Sequence, residues 1–497
     1  MSSRPSGYLG IDIGTSSSKG VVVDERGRIV ARATREHTVS RPRPGFVEMP
    51  MAVWWSEFVA IARELLQQTS LGIAAIGVSG MGPCTGLADA DGVPLRPAIL
   101  YGVDTRATAE IDELNDQLGR GAILARSGSA LSSQAVGPKL AWLAHNEPDT
   151  FARARRLFMP ASWLVWNLTG EYVLDHQSAS QSVPLYDTDA LDWYSPWADS
   201  IRGQIELPRL VWSNDIVGTL TPDAAAATGL AAGIPVIGGT IDAWTEAVSV
   251  GAQSPGDLML MYGTTMFLIN TVRTKVTIPE LWGTVGAFRG TRNLAGGMAT
   301  SGAITDWLRN MFGGTPYPEL LSEAAESPAG ARGLLMLPYF AGERTPISDP
   351  DARGIIAGLT VEHTRGDLYR AALEATAFGV RHNVETIVGA GGEVERVVAV
   401  GGGTQSDLWL QIVSDVSGLT QSVPTVTVGA SYGAAFLAAA ATTDAEIEVW
   451  NPPGRTIRPD PRNRELYDGL FPLYRGLYDS TTDVTHRLAE LQRSGRT

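Results

Sequence analysis

The chain has 497 residues, too many for a lone small binding module and enough for more than one hydrophobic core. With 44% apolar, 19% charged and 7% aromatic residues it has the composition of a folded globular protein, which excludes wholesale disorder and a coiled coil. Its 39 Lys and Arg against 53 Asp and Glu leave a net charge of −14, which repels phosphate backbones and anionic lipid, and the densest basic run, Arg153, Arg155 and Arg156, is too short to reverse that.

A single cysteine, Cys84, rules out an intramolecular disulfide and any multi-cysteine metal site. The six histidines (His37, His145, His176, His363, His382 and His486) show no i, i+4 pair of the metalloprotease kind and are read as structural or surface residues. The N-terminus MSSRPSGYLG has no basic region followed by an apolar core, and no stretch approaches the ~18 apolar residues that span a bilayer. A cytoplasmic protein is expected.

In chain order, Tyr8 to Ile13 reads as a strand interrupted by Asp12, Gly14 to Ser17 as a polar turn, and Gly20 to Val23 and Arg28 to Ala33 as further strands. Trp55, Phe58, Val59, Ala62, Leu65 and Leu66 recur at helical spacing, and Ile73 to Val78 follows as a buried strand. Helix then strand predicts an α/β layer. Residues from about Ala107 to Asp199 read as helical, tryptophan-rich material inserted around the core sheet. Ile234 to Ile241 is predicted as one strand ending at Asp242, and Asp257 to Met261, a Tyr-Gly-Thr-Thr turn and Met266 to Ile269 as a second strand, turn, strand unit.

The two Gly-Thr turns, at Gly14 and Gly263, lie about half the chain apart, which predicts two related halves joined near Gly251 to Asp257. Further on, Thr364 and Asp367 stand at capping-box spacing before a helix with Leu368, Ala371, Ala375 and Phe378 on one face. Val397 to Val400 is a strand, Gly401 to Gly403 a glycine run, and Trp409, Ile412, Val413 and Val416 a helix face stopped by Gly418.

A Gly-Thr turn lets backbone N–H groups converge on an anion, with hydroxyls from Thr15, Ser16, Ser17, Thr264 and Thr265 and the charge of Lys19 as supplements. Either turn alone is more often a plain hairpin; the pair in matching positions is what points to phosphate. Asp12 sits in an apolar strand, where an unpaired carboxylate costs several kcal/mol unless a cation compensates it, and a magnesium ion shared with phosphates would do so. Asp242 closes a core strand and is placed to accept a hydroxyl proton, to cap the helix Ala243 to Val250, or to do both. No G-x-G-x-x-G follows the first strand and no G-x-x-x-x-G-K-[ST] loop occurs, which disfavours a nicotinamide enzyme and a P-loop ATPase.

These residues resemble the FGGY carbohydrate kinases, and within them the xylulokinase-like members. LGIDIGTSSSKGVVVD (Leu9 to Asp24) and LMLMYGTT (Leu258 to Thr265) look like the family's two phosphate motifs, and GGTIDAW (Gly238 to Trp244) like the segment of the catalytic aspartate. LPYFAGERTPISDPDARGIIAGL (Leu337 to Leu359) resembles the family signature, and VVAVGGGTQSDLWLQIVSDVSG (Val397 to Gly418) the adenosine segment. The resemblance implies two ribonuclease-H-like α/β domains, of the actin and hexokinase type, around a central cleft. Residues 1–250 would form the sugar domain and 251–497 the ATP domain. It further implies ATP and Mg²⁺ as cofactors, Asp242 as general base, and Asp12 with Asp242 at the metal. Gly14, Thr15, Ser16, Lys19, Gly263, Thr264 and Thr265 would serve the phosphates, and Gly402 and Gly403 the adenosine.

The expected sugar pocket comprises Met81, Gly82, Tyr101, Asp104, Arg106 and Asp242. D-xylulose is the leading acceptor, with another pentulose, a deoxysugar or a linear polyol as alternatives. In VSGMGPCTG (Val78 to Gly86) the family's Met-His pair is Met81-Gly82, and in ILYGVDTRA (Ile99 to Ala107) Tyr101 and an extra residue replace the usual Trp-x-Asp-x-Arg. Loss of the histidine removes a donor and is expected to open volume beside Met81, which predicts that D-xylulose is not the best substrate. The rival class is a non-catalytic sugar or nucleotide sensor or an assembly protein on the same fold, against which the presence of Asp242 speaks. The expected partner is a small sugar or polyol, with no nucleic acid and no membrane, and a homodimer is left open.

Overall fold

The computed structural model describes residues 6–494, so Met1 to Pro5 of the leader reading lie outside the described residues. Two compact units emerge. One takes the chain up to Ser254, Arg273–Asn293 and Val428–Pro452; the other takes Pro255–Val272, Leu294–Thr427 and the chain from Pro453.

The first unit is built on β1 (Ser6–Ile13), β2 (Ser17–Asp24), β3 (Ile29–Glu36), α1 (Met51–Gln68) and β4 (Gly72–Gly80), followed later by β5 (Ile216–Thr219), β6 (Pro235–Ile237), β7 (Thr240–Ile241) and α2 (Asp242–Ser249). Its sheet runs β5-β6-β4-β1-β2-β3, with β7 also on β4. Side chains alternate along β1, and the two faces are covered differently. Ile11 and its partner Gly20 face α1, where Ile61 and Leu65 pack; Gly10 faces the helix Ala430–Ala440. A Cβ at Gly10 would run into the backbone of Ser431 and one at Gly77 into that of Ala434, so these glycines let a helix lie directly on the sheet.

The buried face of α1 is Met51, Trp54, Phe58, Ile61, Ala62 and Leu65. It is rotated from the expected stripe: Trp55 is half-buried and stacks on Phe58 with ring centroids 5.7 Å apart. Each large apolar side chain so buried is worth about 1.5–3 kcal/mol, and that term outweighs the exact phase of a six-residue pattern. The strand expected over Ile234 to Ile241 is interrupted. Gly239 has φ +67°, and a Cβ there would overlap the carbonyl of Val78, so β6 and β7 separate at this bend.

The second unit contains β8 (Asp257–Tyr262), β9 (Met266–Val272), β10 (Arg292–Met298, from Leu294 on), α3 (Arg365–Gly389), β11 (Arg396–Val400), α4 (Asp407–Ser417), β12 (Gln421–Pro424), β13 (Pro453–Ile457) and α5 (Arg464–Arg493). Strand order is β10-β9-β8-β11-β12-β13. α3 starts at the expected capping box: the Asp367 carboxylate accepts the Thr364 N–H at 2.8 Å, and the Thr364 hydroxyl accepts the Asp367 N–H at 3.3 Å. α4 stops at Gly418 in the left-handed conformation, as expected.

The two sheets share one plan. In each, the Gly-Thr turn joins an antiparallel pair (β1/β2, β8/β9), and the pair's first strand is parallel to one that comes later (β4, β11). Each sheet then adds one more parallel strand and one antiparallel strand. Among the described residues no helix is long and apolar enough to cross a membrane.

Candidate active site

The first turn is held from below. Gly14 N–H donates to Ser17 O at 3.1 Å, and the His37 N–H donates to Ser16 O at 3.1 Å. The His37 ring bridges Gly14 O (Nε2, 3.1 Å) and Glu57 Oε2 (Nδ1, 2.9 Å), and Ser18 Oγ donates to the same Glu57 oxygen at 2.5 Å. His37 thus braces the turn, a role its sequence neighbourhood does not signal. Thr15 Oγ1 lies 2.8 Å from Tyr101 OH, and Ser16 remains exposed.

Asp12 is buried at the end of β1, opposite the exposed Lys19 in the β1/β2 ladder, and accepts a hydrogen bond from Ser79 Oγ at 3.1 Å. Burial, reinforced by the charges of Asp242 and Glu246, raises its pKa well above the carboxylate range, against the pull of Ser79 and Lys19. Asp242 is the first residue of α2 and takes the Ala243 N–H at 2.8 Å; burial raises it too. Ile241 occupies the formal N-cap position without a side-chain cap, while the Asp242 carboxylate, one residue on, takes one of the helix's free first N–H groups.

One turn further on, Glu246 completes a group of three acidic side chains. Burial, with the charge of Asp242, pushes it up to about 7, while Lys19 and the Ala430 N–H pull the other way. Glu246 is absent from the sequence reading, although its i, i+4 spacing from Asp242 places both on one helix face.

Among the expected sugar residues, Met81 is buried and its N–H donates to Ile13 O at 2.8 Å, so it extends β4 by one residue alongside the end of β1. Gly82 corrects the expectation of extra volume. A Cβ there would lie 2.6 Å from Ile241 Cγ1, so the side chain preceding Asp242 already fills the space. Asp104 and Arg106 bind each other in a two-pronged pair (Nε to Oδ1 2.9 Å, Nη2 to Oδ2 2.7 Å). Asp104 also takes the Val47 N–H at 2.6 Å, and Arg106 pairs with Glu48 at 2.7 Å and lies 4.0 Å over the Phe46 ring. Their side chains are 0% and 1% exposed, so they anchor the loop behind Tyr101 instead of offering free polar groups.

In the second unit, the turn at Gly263 to Thr265 is closed by Gly263 N–H to Thr265 O at 3.1 Å. The carbonyls of Gly263 and Thr264 accept the N–H groups of Ser301, Gly302 and Ala303 at 2.9 to 3.0 Å, which uses the first donors of the helix Gly302–Met311 and leaves the Thr264 side chain exposed. After β11, Gly403 is packed against Trp409 and Tyr262, while a Cβ at Gly402 would meet nothing within 4 Å. At Gly402 the backbone is therefore open.

Among the described residues no three His, Cys, Asp or Glu side chains gather into a metal cage. Mg²⁺ fits the donors nonetheless, since it is commonly held by one or two carboxylates plus phosphate oxygens and waters, and the buried Asp12 and half-buried Asp242 are acids whose proton affinity burial raises.

Comparisons with known proteins give the family. Residues 7–249 match the N-terminal domain of the FGGY family of carbohydrate kinases and residues 258–442 its C-terminal domain. The xylulose kinase of Escherichia coli K12 is 30% identical over 480 residues, 95% of this chain and 98% of that protein. A glycerol kinase of Nocardia farcinica is 32% identical over 449 residues, 86% and 88% of the two chains. The crystal structure of xylulose kinase from Rhodospirillum rubrum superposes with a TM-score of 0.91 at 33% identity, covering 97% of this chain and 100% of that one.

Proposed function

Because the chain belongs to the FGGY family of carbohydrate kinases and is an ATP-dependent sugar kinase, we propose that its acceptor is a ketose, D-xylulose first, with linear polyols as the alternative. Residues 1–250 take the sugar and 251–497 the nucleotide. The observation that carries the chemistry is Asp242, a half-buried carboxylate at the head of α2 whose proton affinity is raised toward neutrality. That is the property of a general base at physiological pH.

In this reading Asp242 accepts the proton of the acceptor hydroxyl as its oxygen forms a bond to the γ-phosphorus, and the bond from that phosphorus to the β-phosphate oxygen breaks to release ADP. Asp12 and Asp242 would hold Mg²⁺, which neutralises phosphate charge when bound. In the first unit the turn Gly14 to Ser16, with Lys19, and in the second the turn Gly263 to Thr265 each offer phosphates backbone N–H and hydroxyl groups. Gly402 and Gly403 receive the adenosine. Met81, Gly82 and Tyr101 wall the sugar, and Asp104 and Arg106 act by holding Tyr101 in place. The cytoplasm, which supplies ATP, is the fitting compartment.

A coupled ADP-release assay across ketoses and polyols tests the assignment. D-xylulose-dependent turnover is expected, with Asp242→Asn losing a factor of about 10²–10⁴ while nucleotide binding is kept. Near wild-type turnover in the folded variant would remove Asp242 from this role.

A further inference from the structure

The short helix His176–Ser180 and the turn after it carry a row of polar groups that the reaction outlined above does not use. Asp175 caps this helix: its Oδ2 accepts the Ser178 N–H at 3.2 Å and the Thr240 hydroxyl at 2.8 Å. The Thr240 hydroxyl also lies 3.0 Å from Gln177 Oε1. Thr240 stands two residues before Asp242 and is the cross-strand partner of Ser79, the donor to Asp12. Gln177 is therefore joined to the strand that delivers the general base.

Gln177 is 0% exposed, yet its Nε2 has no hydrogen-bond partner among the described residues. Either orientation of the amide leaves one end unfilled. Gln181 follows at i+4, so the two carboxamides share a face, and its buried Nε2 is likewise unpartnered. Ser182, also 0% exposed, adds a third unpartnered group, its Oγ. A buried donor left unmade costs about 1–3 kcal/mol, and three within six residues is a concentration that folding alone does not reward. Hydroxyl groups of a sugar, each both donor and acceptor, are the chemistry that would satisfy it.

Building on the kinase reading, we propose that Gln177, Gln181 and Ser182 form a subsite for hydroxyls of the acceptor sugar remote from the one phosphorylated, and so determine acceptor preference. Such a site rejects acceptors that lack the matching hydroxyl, because its own polar groups are then stranded.

Calorimetric titration with D-xylulose, and separately with a non-hydrolysable ATP analogue, tests this in Gln181→Leu and Gln177→Met. Gln181 is half-buried, so its variant keeps the test available if Gln177→Met does not fold. About a tenfold loss of D-xylulose affinity, roughly one hydrogen bond, is expected, with nucleotide affinity within twofold. Unchanged D-xylulose binding in a folded variant, or equal losses for both ligands, overturns the subsite. A wild-type protein that turns over a ketose while both variants match it overturns the subsite alone; a wild type that binds and phosphorylates no ketose or polyol overturns the kinase reading with it.

Discussion

Thr15, in the Gly-Thr turn between β1 and β2, shares a 2.8 Å hydrogen bond with Tyr101, the residue standing where the family pattern has tryptophan. One hydroxyl pair thus ties the turn proposed to face phosphate to the loop proposed to wall the sugar, and that loop is itself pinned by the Asp104–Arg106 pair. Tyr101→Phe keeps the ring and removes the bond. Steady-state kinetics should show kcat/KM falling about five- to tenfold, the worth of about 1 kcal/mol, through both the sugar and the ATP terms. A loss confined to the sugar term would mean that the bond does not couple them.

Asp12→Ala removes the only carboxylate of β1. Because Asp12 is a buried acid beside Asp242, its deletion should raise the magnesium concentration needed for half-maximal rate by an order of magnitude or abolish turnover. The same variant should lose the paramagnetic signature of Mn²⁺ bound with nucleotide. An unchanged magnesium titration would make Asp12 structural.

Gly82→Ala tests the filled space beside Met81. The added methyl would press on the Ile241 side chain, and the displacement is passed to the residue that follows, Asp242. A fall in kcat greater than the rise in sugar KM is expected. If the variant instead gains affinity for D-xylulose with kcat intact, Ile241 yields freely and the pocket is roomier than the packing indicates.

Lys139 concerns stability and pH. It is 1% exposed on the helix Val136–Asn146, and its Nζ has no hydrogen-bond partner among the described residues. Burial lowers its pKa from 10.5 to about 8, against the opposing pull of Cys84 and Asp104. Between those two values the unfolded chain holds more protons than the folded one, so stability rises with pH over that window. Below it the buried charge is a standing cost. Lys139→Met should raise the melting temperature at pH 7 by about 2–4 °C and flatten the rise between pH 8 and 10. A melting temperature that drops would show that the ammonium has a partner worth more than its burial costs.

Local chemistry made much of this protein legible in its residues. A carboxylate in an apolar strand, a Gly-Thr turn repeated half a chain later, a capping box at Thr364 and a glycine stop at Gly418 each announce themselves within a few positions, because hydrogen bonding and φ preferences act at short range. Tertiary packing decided the rest. It turned the face of α1 from Trp55 to Trp54, split the strand before Asp242 at Gly239, and filled the space beside Gly82 with Ile241. It sealed Asp104 and Arg106 against each other, and it brought the helix Ala430–Ala440 back onto the first sheet, where Gly10 and Gly77 admit it. It also set Gln177 beside Thr240, 63 positions away in the chain. Each of these depends on which surfaces meet, and burial energy is assigned by those meetings across hundreds of residues; no window of neighbouring residues contains them.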